Sequence, residues 1–339
     1  YEYSVQQDAK PSVKMDANEN WNIPLWKIRS VMARVTKRVD AREYPDGVAL
    51  KLCEVLARHH VLPAECFVPC SGADQAIDLL SQGFLSPGDP AYIITPTFSM
   101  YRLRATIAQA NCVEVSMGRN FSLPVEEIPS GAKGVIFVCS PNNPTGNQFE
   151  KEEMLRLVRK FEGLIVLDEA YVEFARYSLI EQVAEFKNLA VLRTFSKAYG
   201  LAGLRLGYIA AHPSWARDFL EKIQYPYPVN VPAVEAALKL LGESLVKSWV
   251  SRVKAERGWL TMRLREIPDV TVVDSESNFV LASLPMKARM AHRRLLERGL
   301  ATREVGSVLD LPNCLRITVG TRRMNKLLVA SLRAVLGEG

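Results

Sequence analysis

Histidine is scarce in this 339-residue chain: only His59, His60, His212 and His292 occur, with no HxH or HExxH spacing. A histidine-built metal site is therefore not expected. Cysteine is sparse too, and the six thiols (Cys53, Cys66, Cys70, Cys112, Cys139, Cys314) include no CxxC pair. Several lie in apolar runs such as GVIFVCS, so they read as buried reduced thiols in a cytoplasmic protein rather than a disulfide scaffold. No apolar stretch approaches the ~18–20 residues that span a bilayer, and YEYSVQQDAK at the start carries no signal core. Charge of one sign never gathers into a block. Forty-three Lys+Arg against thirty-seven Asp+Glu give +6, interspersed along the chain, so neither nucleic acid nor a membrane is an expected partner. A few arginines remain available for a small anionic ligand.

What is present is an ordinary globular composition, 48% hydrophobic and 24% charged, at a length that suits roughly two domains. Between about residues 65 and 212, short apolar runs alternate with helix-like segments. The runs are Glu65–Cys70, Ala91–Pro96, Cys112–Met117, Gly134–Ser140, Leu164–Asp168, Leu189–Thr194 and Leu206–Ala211. Their β-branched content and flanking Gly or Pro predict strands, and their near-continuous apolarity predicts burial on both faces. Ala73, Ala76, Ile77 and Leu80 recur at helical spacing, and Glu150 to Phe161 reads as a helix burying Met154, Leu155 and Val158. Strands alternating with helices imply an α/β fold with a mostly parallel sheet. After Pro213 the character changes. One long helical stretch runs from Val234 to Ile267, followed by strand candidates Val270–Val273, Asn278–Leu281 and Leu315–Val319, with helices near Ala288–Arg298 and at the C-terminus. That is a smaller α+β unit. The division expected is an N-terminal arm (1–35) packing with the small domain, a large domain (36–225) and a small domain (226–339).

In a doubly wound sheet, ligands sit beyond the carboxyl ends of the strands. The first run leads into Ser71-Gly72-Ala73-Asp74, where a helix start offers N–H groups to an anion; alone, this is an ordinary turn. The fourth leads into Ser140-Pro141-Asn142-Asn143-Pro144-Thr145-Gly146, a stiff turn presenting two amides. The fifth ends at Asp168-Glu169-Ala170-Tyr171, and a carboxylate at the end of a buried strand needs a partner. The sixth ends at Thr194-Phe195-Ser196-Lys197, eight residues before Arg205. Gly200, Gly203 and Gly207 do not form GxGxxG, so a dinucleotide site is not indicated. Together these pieces suit pyridoxal phosphate. That cofactor needs a lysine for a Schiff base, a carboxylate at the pyridine nitrogen, and an anion site. Lys197 and Asp168 fit the first two roles. The Gly72-Ala73-Asp74 helix start, Thr194, Ser196 and Arg205 fit the third. Asn143 and Tyr171 suit the ring oxygen. Phe98 suits the ring face, although alone it reads as a core aromatic.

PNNPTG (141–146), DEAYVEF (168–174), TFSKAYGLAGLRLGY (194–208), DSESNFVLA (274–282) and CLRITVG (314–320) occur in that order. On these motifs the chain, from Asp16 to about Arg333, resembles the fold-type I pyridoxal-phosphate aminotransferases, and within them the histidinol-phosphate branch. The resemblance implies a seven-stranded mixed sheet with one antiparallel strand. It implies a homodimer in which Tyr44, in Glu43-Tyr44-Pro45-Asp46-Gly47, reaches the cofactor phosphate of the neighbouring subunit. It assigns Arg316 to a substrate carboxylate, Arg303 with Arg316 to a substrate phosphate, and Asn18-Glu19 to closing the site. Without the resemblance, Arg303 reads as a surface arginine. The N-terminal arm departs from the pattern: Tyr1 and Tyr3 stand where a proline-tyrosine element is expected. The implied reaction exchanges an amino group between L-histidinol phosphate with 2-oxoglutarate and imidazole-acetol phosphate with L-glutamate, in histidine biosynthesis. Its substrates are thus small phosphorylated and dicarboxylate compounds. A threonine-phosphate decarboxylase-like lyase and an aspartate or aromatic aminotransferase share the fold and are the alternatives. A non-enzymatic regulator is disfavoured, because every catalytic position is filled.

Overall fold

The computed structural model describes residues 11–45, 47–241 and 244–337, so Tyr1, Tyr3 and Asp46 lie outside the described residues. All seven runs become strands of one sheet: β1 (Phe67–Cys70), β2 (Pro90–Thr95), β3 (Asn111–Ser116), β4 (Val135–Cys139), β5 (Leu164–Asp168), β6 (Leu189–Thr194) and β7 (Gly207–Ala211). The order is β1-β7-β6-β5-β4-β2-β3. Only β7 opposes its neighbours, running antiparallel to both β1 and β6.

Side-chain alternation explains why the strands are apolar throughout. Val135, Phe137 and Val166 join one core, while Ile136, Val138, Ile165 and Leu167 join the other. Each large side chain so buried contributes ~1.5–3 kcal/mol relative to exposure. Helices cover both faces, among them Val48–His60, Gly72–Phe84, Met100–Ile107 and Lys151–Lys160. Two expectations need correction. Strand β3 is not buried on both faces: it forms the sheet edge, and of its six residues only Val115 is buried. In Lys151–Lys160 the third buried position is Leu157, with Leu155 only half-buried, because the turn carrying Met154 and Val158 aims Leu157 inward.

The long helix expected from 234 to 267 is two helices, Val231–Leu241 and Leu245–Arg265. The sequence between them contains a glycine and a serine, weak helix formers. The first packs on helices Leu25–Thr36 and Val48–His60, and the second on helix Arg322–Leu336. A second, wholly antiparallel sheet follows: β8 (Thr271–Val272), β9 (Phe279–Ser283), β10 (Arg303–Val308) and β11 (Leu311–Thr318), in the order β10-β11-β9-β8. Sequence patterning missed β10, whose residues Arg303, Glu304, Gly306 and Ser307 break apolar periodicity and whose register shifts on either side of Gly306. The N-terminal segment laces onto this unit. Val13–Lys14 pairs in parallel with Leu300–Ala301, and the Thr318 N–H donates to the Met15 carbonyl at 2.9 Å.

Close backbone approach fixes one sheet junction. Gly134, with φ +92°, sits where an added Cβ would lie 2.1 Å from the Pro90 carbonyl oxygen. Gly134→Ala should therefore lower stability by about 2 kcal/mol or more, combining overpacking with left-handed strain. A urea midpoint indistinguishable from wild type would contradict this packing.

Candidate active site

Asp168 closes β5 at the carboxyl edge of the sheet, and Lys197 follows β6 by three residues. Asp168 is buried. Its Oδ1 accepts from the Ala170 N–H at 2.9 Å, and its Oδ2 accepts from the Tyr101 hydroxyl at 2.7 Å. Burial raises its pKa, opposed by these two donors. Lys197 reaches across the cleft, donating from Nζ to the Ala17 carbonyl at 3.1 Å, and its Nζ lies 5.7 Å from the centre of the Tyr171 ring.

The lysine's environment suits a nucleophile. Burial, and next the positive Arg316, push its pKa down to about 8, with Glu19 and Asp74 pulling the other way. At pH 7 about a tenth of such amines are neutral, against roughly one in three thousand for an ordinary lysine. Tyr171 is buried, and burial raises its phenol pKa. Its hydroxyl accepts from Asn18 Nδ2 at 3.1 Å. Asn18 has φ +58°, a conformation costing ~1 kcal/mol or more. Hydrogen bonds hold it there: its N–H donates to Thr318 Oγ1 (2.9 Å), its carbonyl accepts from Asn278 Nδ2 (2.8 Å), and its Oδ1 accepts from Thr318 Oγ1 (3.2 Å). Glu19 follows, with Oε1 on Lys14 and Oε2 buried without a hydrogen-bond partner.

A second cluster forms where the helix Gly72–Phe84 begins. Arg205, also left-handed at φ +52°, lies across that start. Its Nη2 donates to Asp74 Oδ2 at 2.9 Å and its Nη1 to Ser196 Oγ at 3.4 Å. Gly72 makes this possible, since a Cβ there would meet Arg205 Nη2 at 2.7 Å. The Ser196 N–H donates to Thr194 Oγ1 at 3.1 Å, fixing the turn into Lys197. First-turn N–H groups of a helix lack intrahelical acceptors, so Gly72, Ala73 and Asp74 present donors beside a guanidinium.

The third cluster belongs to the small sheet. Arg316 on β11 donates from Nη1 to Asn143 Oδ1 at 2.8 Å and from Nη2 to the Asp16 carbonyl, and its guanidinium lies 5.5 Å from the Phe279 ring centre. Because Oδ1 is held by Arg316, the Asn143 amide leaves Nδ2 as donor. Arg303 pairs directly opposite Arg316 in the β10–β11 register, so the two side chains share a face. Like charges so placed repel unless an anion lies between them.

Phe98 is half-buried and meets Tyr101 edge-on at 5.8 Å. Tyr44 stands in a different place. It is 75% exposed and stacks on Tyr227 at 4.6 Å, lining a cavity of about 680 Å³ with Arg38, Arg42 and Val231. Sequence reading missed Tyr101, Asp16 and Thr318 as contacts of the site. Tyr101 lies three residues after Phe98, in the first turn of the helix Met100–Ile107, and sequence reading assigned it no role.

This sheet order, with a lysine and a carboxylate at its carboxyl edge, defines a fold-type I pyridoxal-phosphate-dependent transferase. Known proteins narrow the class. The family described as aminotransferase class I and II matches residues 10–332. The histidinol-phosphate aminotransferase of Caldanaerobacter subterraneus subsp. tengcongensis is 35% identical over 329 residues, covering 95% of this chain and 93% of its own. That of Bacteroides fragilis is 36% identical over 344 residues, covering 98% and 94%. Among solved structures, histidinol-phosphate aminotransferase from Sinorhizobium meliloti, in complex with pyridoxal-5'-phosphate, superposes with TM-score 0.87 at 24% identity, covering 97% of this chain and 91% of that one. L-threonine-O-3-phosphate decarboxylase from Porphyromonas gingivalis gives 0.84 at 23%, covering 96% and 99%, so the two activities share the fold. The chain belongs to the class I and II aminotransferases.

The cofactor of such an enzyme is pyridoxal phosphate, and the residues present fit it. An amine with a lowered pKa stands on one side, a buried carboxylate on the other, and Gly72 leaves Arg205 room over a helix start. Capture of pyridoxal phosphate by the cofactor-free enzyme should quicken as pH rises, with its midpoint at about pH 8, and level off about one unit above. Arg316→Ala removes a positive neighbour and should move that midpoint upward. A stopped-flow rate still climbing toward pH 10.5 in the wild type would contradict the assignment.

Proposed function

We propose that this chain is a transaminase interconverting L-histidinol phosphate and 2-oxoglutarate with imidazole-acetol phosphate and L-glutamate, in histidine biosynthesis. The reading rests on near-full-length likeness to histidinol-phosphate aminotransferases together with one observation, the Arg303–Arg316 pair directly opposed on β10 and β11. Two guanidiniums on one face suit a phosphate dianion, and Arg316 alone suits a carboxylate through two parallel hydrogen bonds. One pocket then serves both substrates.

In this reading Lys197 holds the cofactor's aldehyde carbon, Asp168 faces the ring nitrogen, and Phe98 covers the ring. Asn143 Nδ2 and the Tyr171 hydroxyl meet the ring oxygen. The N–H groups of Gly72, Ala73 and Asp74, with Thr194, Ser196 and Arg205, hold the phosphate. When bound, pyridoxal phosphate supplies the carbonyl that exchanges amino groups and a protonated ring that draws electrons from the substrate Cα. When not bonded to the cofactor, Lys197 Nζ would be the group that takes up the proton lost from the substrate Cα. A depressed pKa keeps that amine able to take the proton near neutral pH. Asp16, Asn18 and Glu19 close the cleft from the N-terminal side.

We also infer a homodimer. Tyr44 and Tyr227 are exposed aromatics lining a cavity, Trp21 and Trp26 are exposed as well, and Tyr44 would meet the cofactor phosphate of the partner copy. The domain division at 35 and 225 and a cytoplasmic location belong to the same reading. Among the described residues no helix is long and apolar enough to cross a membrane, and none of the six cysteines is bridged.

The lyase reading shares fold and cofactor, so a paired assay decides. Purified protein with histidinol phosphate and 2-oxoglutarate should yield glutamate, and threonine phosphate should release no carbon dioxide; the reverse pattern selects the decarboxylase. Arg303→Ala should weaken histidinol phosphate at least about tenfold, the worth of one charged hydrogen bond, while leaving unphosphorylated histidinol nearly unchanged. Equal losses would remove the phosphate role.

A further inference from the structure

We propose that Tyr101 is a positioning residue for transamination, one buried side chain that sets both the Asp168 carboxylate and the Phe98 ring. The proposal rests on the reading that Asp168 and Phe98 face the cofactor. Tyr101 is completely buried. Its ring stacks on Phe137 at 5.4 Å, with planes 10° apart, and its edge meets Phe98 at 5.8 Å and 83°. Its hydroxyl donates to Asp168 Oδ2 at 2.7 Å. The aromatic contacts fix the phenol's position, so the hydroxyl is delivered to the carboxylate by packing and not by chance rotation. In a site this apolar, phenylalanine would fill the space equally well, and a phenol is costly unless its O–H has an acceptor.

The consequence for Asp168 is geometric first. Each carboxylate oxygen takes one donor from a different element: Ala170 N–H on Oδ1 and Tyr101 on Oδ2. Rotating the carboxylate breaks both bonds. The titratable groups around it are Tyr101, Cys139, Tyr171, Asp74 and Lys197. Cys139 pairs with Asp168 in the β4–β5 register, and its thiol donates to the Pro141 carbonyl at 3.3 Å. Burial and Asp74 favour the protonated acid, while Tyr101, Ala170 and Lys197 favour the carboxylate. Deleting the phenol oxygen therefore loosens Asp168 and shifts it toward the acid, the form that cannot balance a protonated ring nitrogen. The ring edge acts separately, holding Phe98 at its angle over the cleft.

Two substitutions separate these effects. Tyr101→Phe keeps the ring and removes only the hydroxyl. In the cofactor-free enzyme, the infrared band of protonated Asp168, identified by its loss in Asp168→Asn, should titrate about one pH unit or more higher than in wild type. The dissociation constant for pyridoxal phosphate should rise about tenfold, with the far-ultraviolet circular dichroism of the fold unchanged. Tyr101→Met should add loss of the bound cofactor's induced circular dichroism, because Phe98 loses its support. A Tyr101→Phe protein with wild-type titration and wild-type cofactor affinity overturns the proposal. If instead wild-type protein fails to bind pyridoxal phosphate, or Asp168→Asn binds it as tightly, the cofactor reading fails and takes this proposal with it.

Discussion

Strands Leu164–Asp168 and Leu189–Thr194 run parallel with Asp168 opposite Leu192, and the reacting groups follow from that register. Each strand is buried along its whole length, so no slip is available without turning apolar side chains out of one core and into the other. The ladder continues one step past β5, where the Glu169 N–H donates to the Leu192 carbonyl at 3.0 Å. Beneath it, buried Arg193 pairs with Glu169 at 3.4 Å and Glu173 at 3.0 Å, tying the two strand ends on the far side from Asp168. The Asp168 carboxylate thus ends a strand buried along its whole length, and Lys197 lies three residues beyond the end of the next.

An N-terminal segment is one of the links between the small sheet and that edge. Residues 13–20 pair with Leu300–Ala301, pass Met15 beneath Thr318, and bring Ala17 and Asn18 to Lys197 and Tyr171. Arg316 completes the lacing through Asn143 and Asp16. Arg303 and Arg316 thus sit on the small sheet, and Arg316 is tied both to the N-terminal strip at Asp16 and to the loop after β4 at Asn143.

Much of this was legible in the sequence. Seven apolar runs bounded by Gly and Pro named seven strands, five of them buried along their whole length. Lys197, Asp168 and Arg205 stood out because charged groups at the ends of buried strands need a reason. The direction of β7 was not legible from pattern, since an antiparallel strand inside a covered sheet is as apolar as a parallel one; family resemblance implied one antiparallel strand without saying which. Strand β10 escaped because Arg303, Glu304 and Gly306 carry no apolar alternation, and its pairing with β11 is what gives Arg303 its place. Tyr101 escaped for the opposite reason: it looks like core, and is core, with one polar atom whose partner lies 67 residues away in the chain.

The central claim is that Lys197 is the amine that holds the cofactor. Borohydride reduction of the enzyme loaded with pyridoxal phosphate, followed by peptide mass spectrometry, tests it directly. One modified lysine per chain, Lys197, is expected, with no modification of the chain in Lys197→Ala. A cofactor fixed to any other lysine, or persisting on the chain in Lys197→Ala, would contradict it.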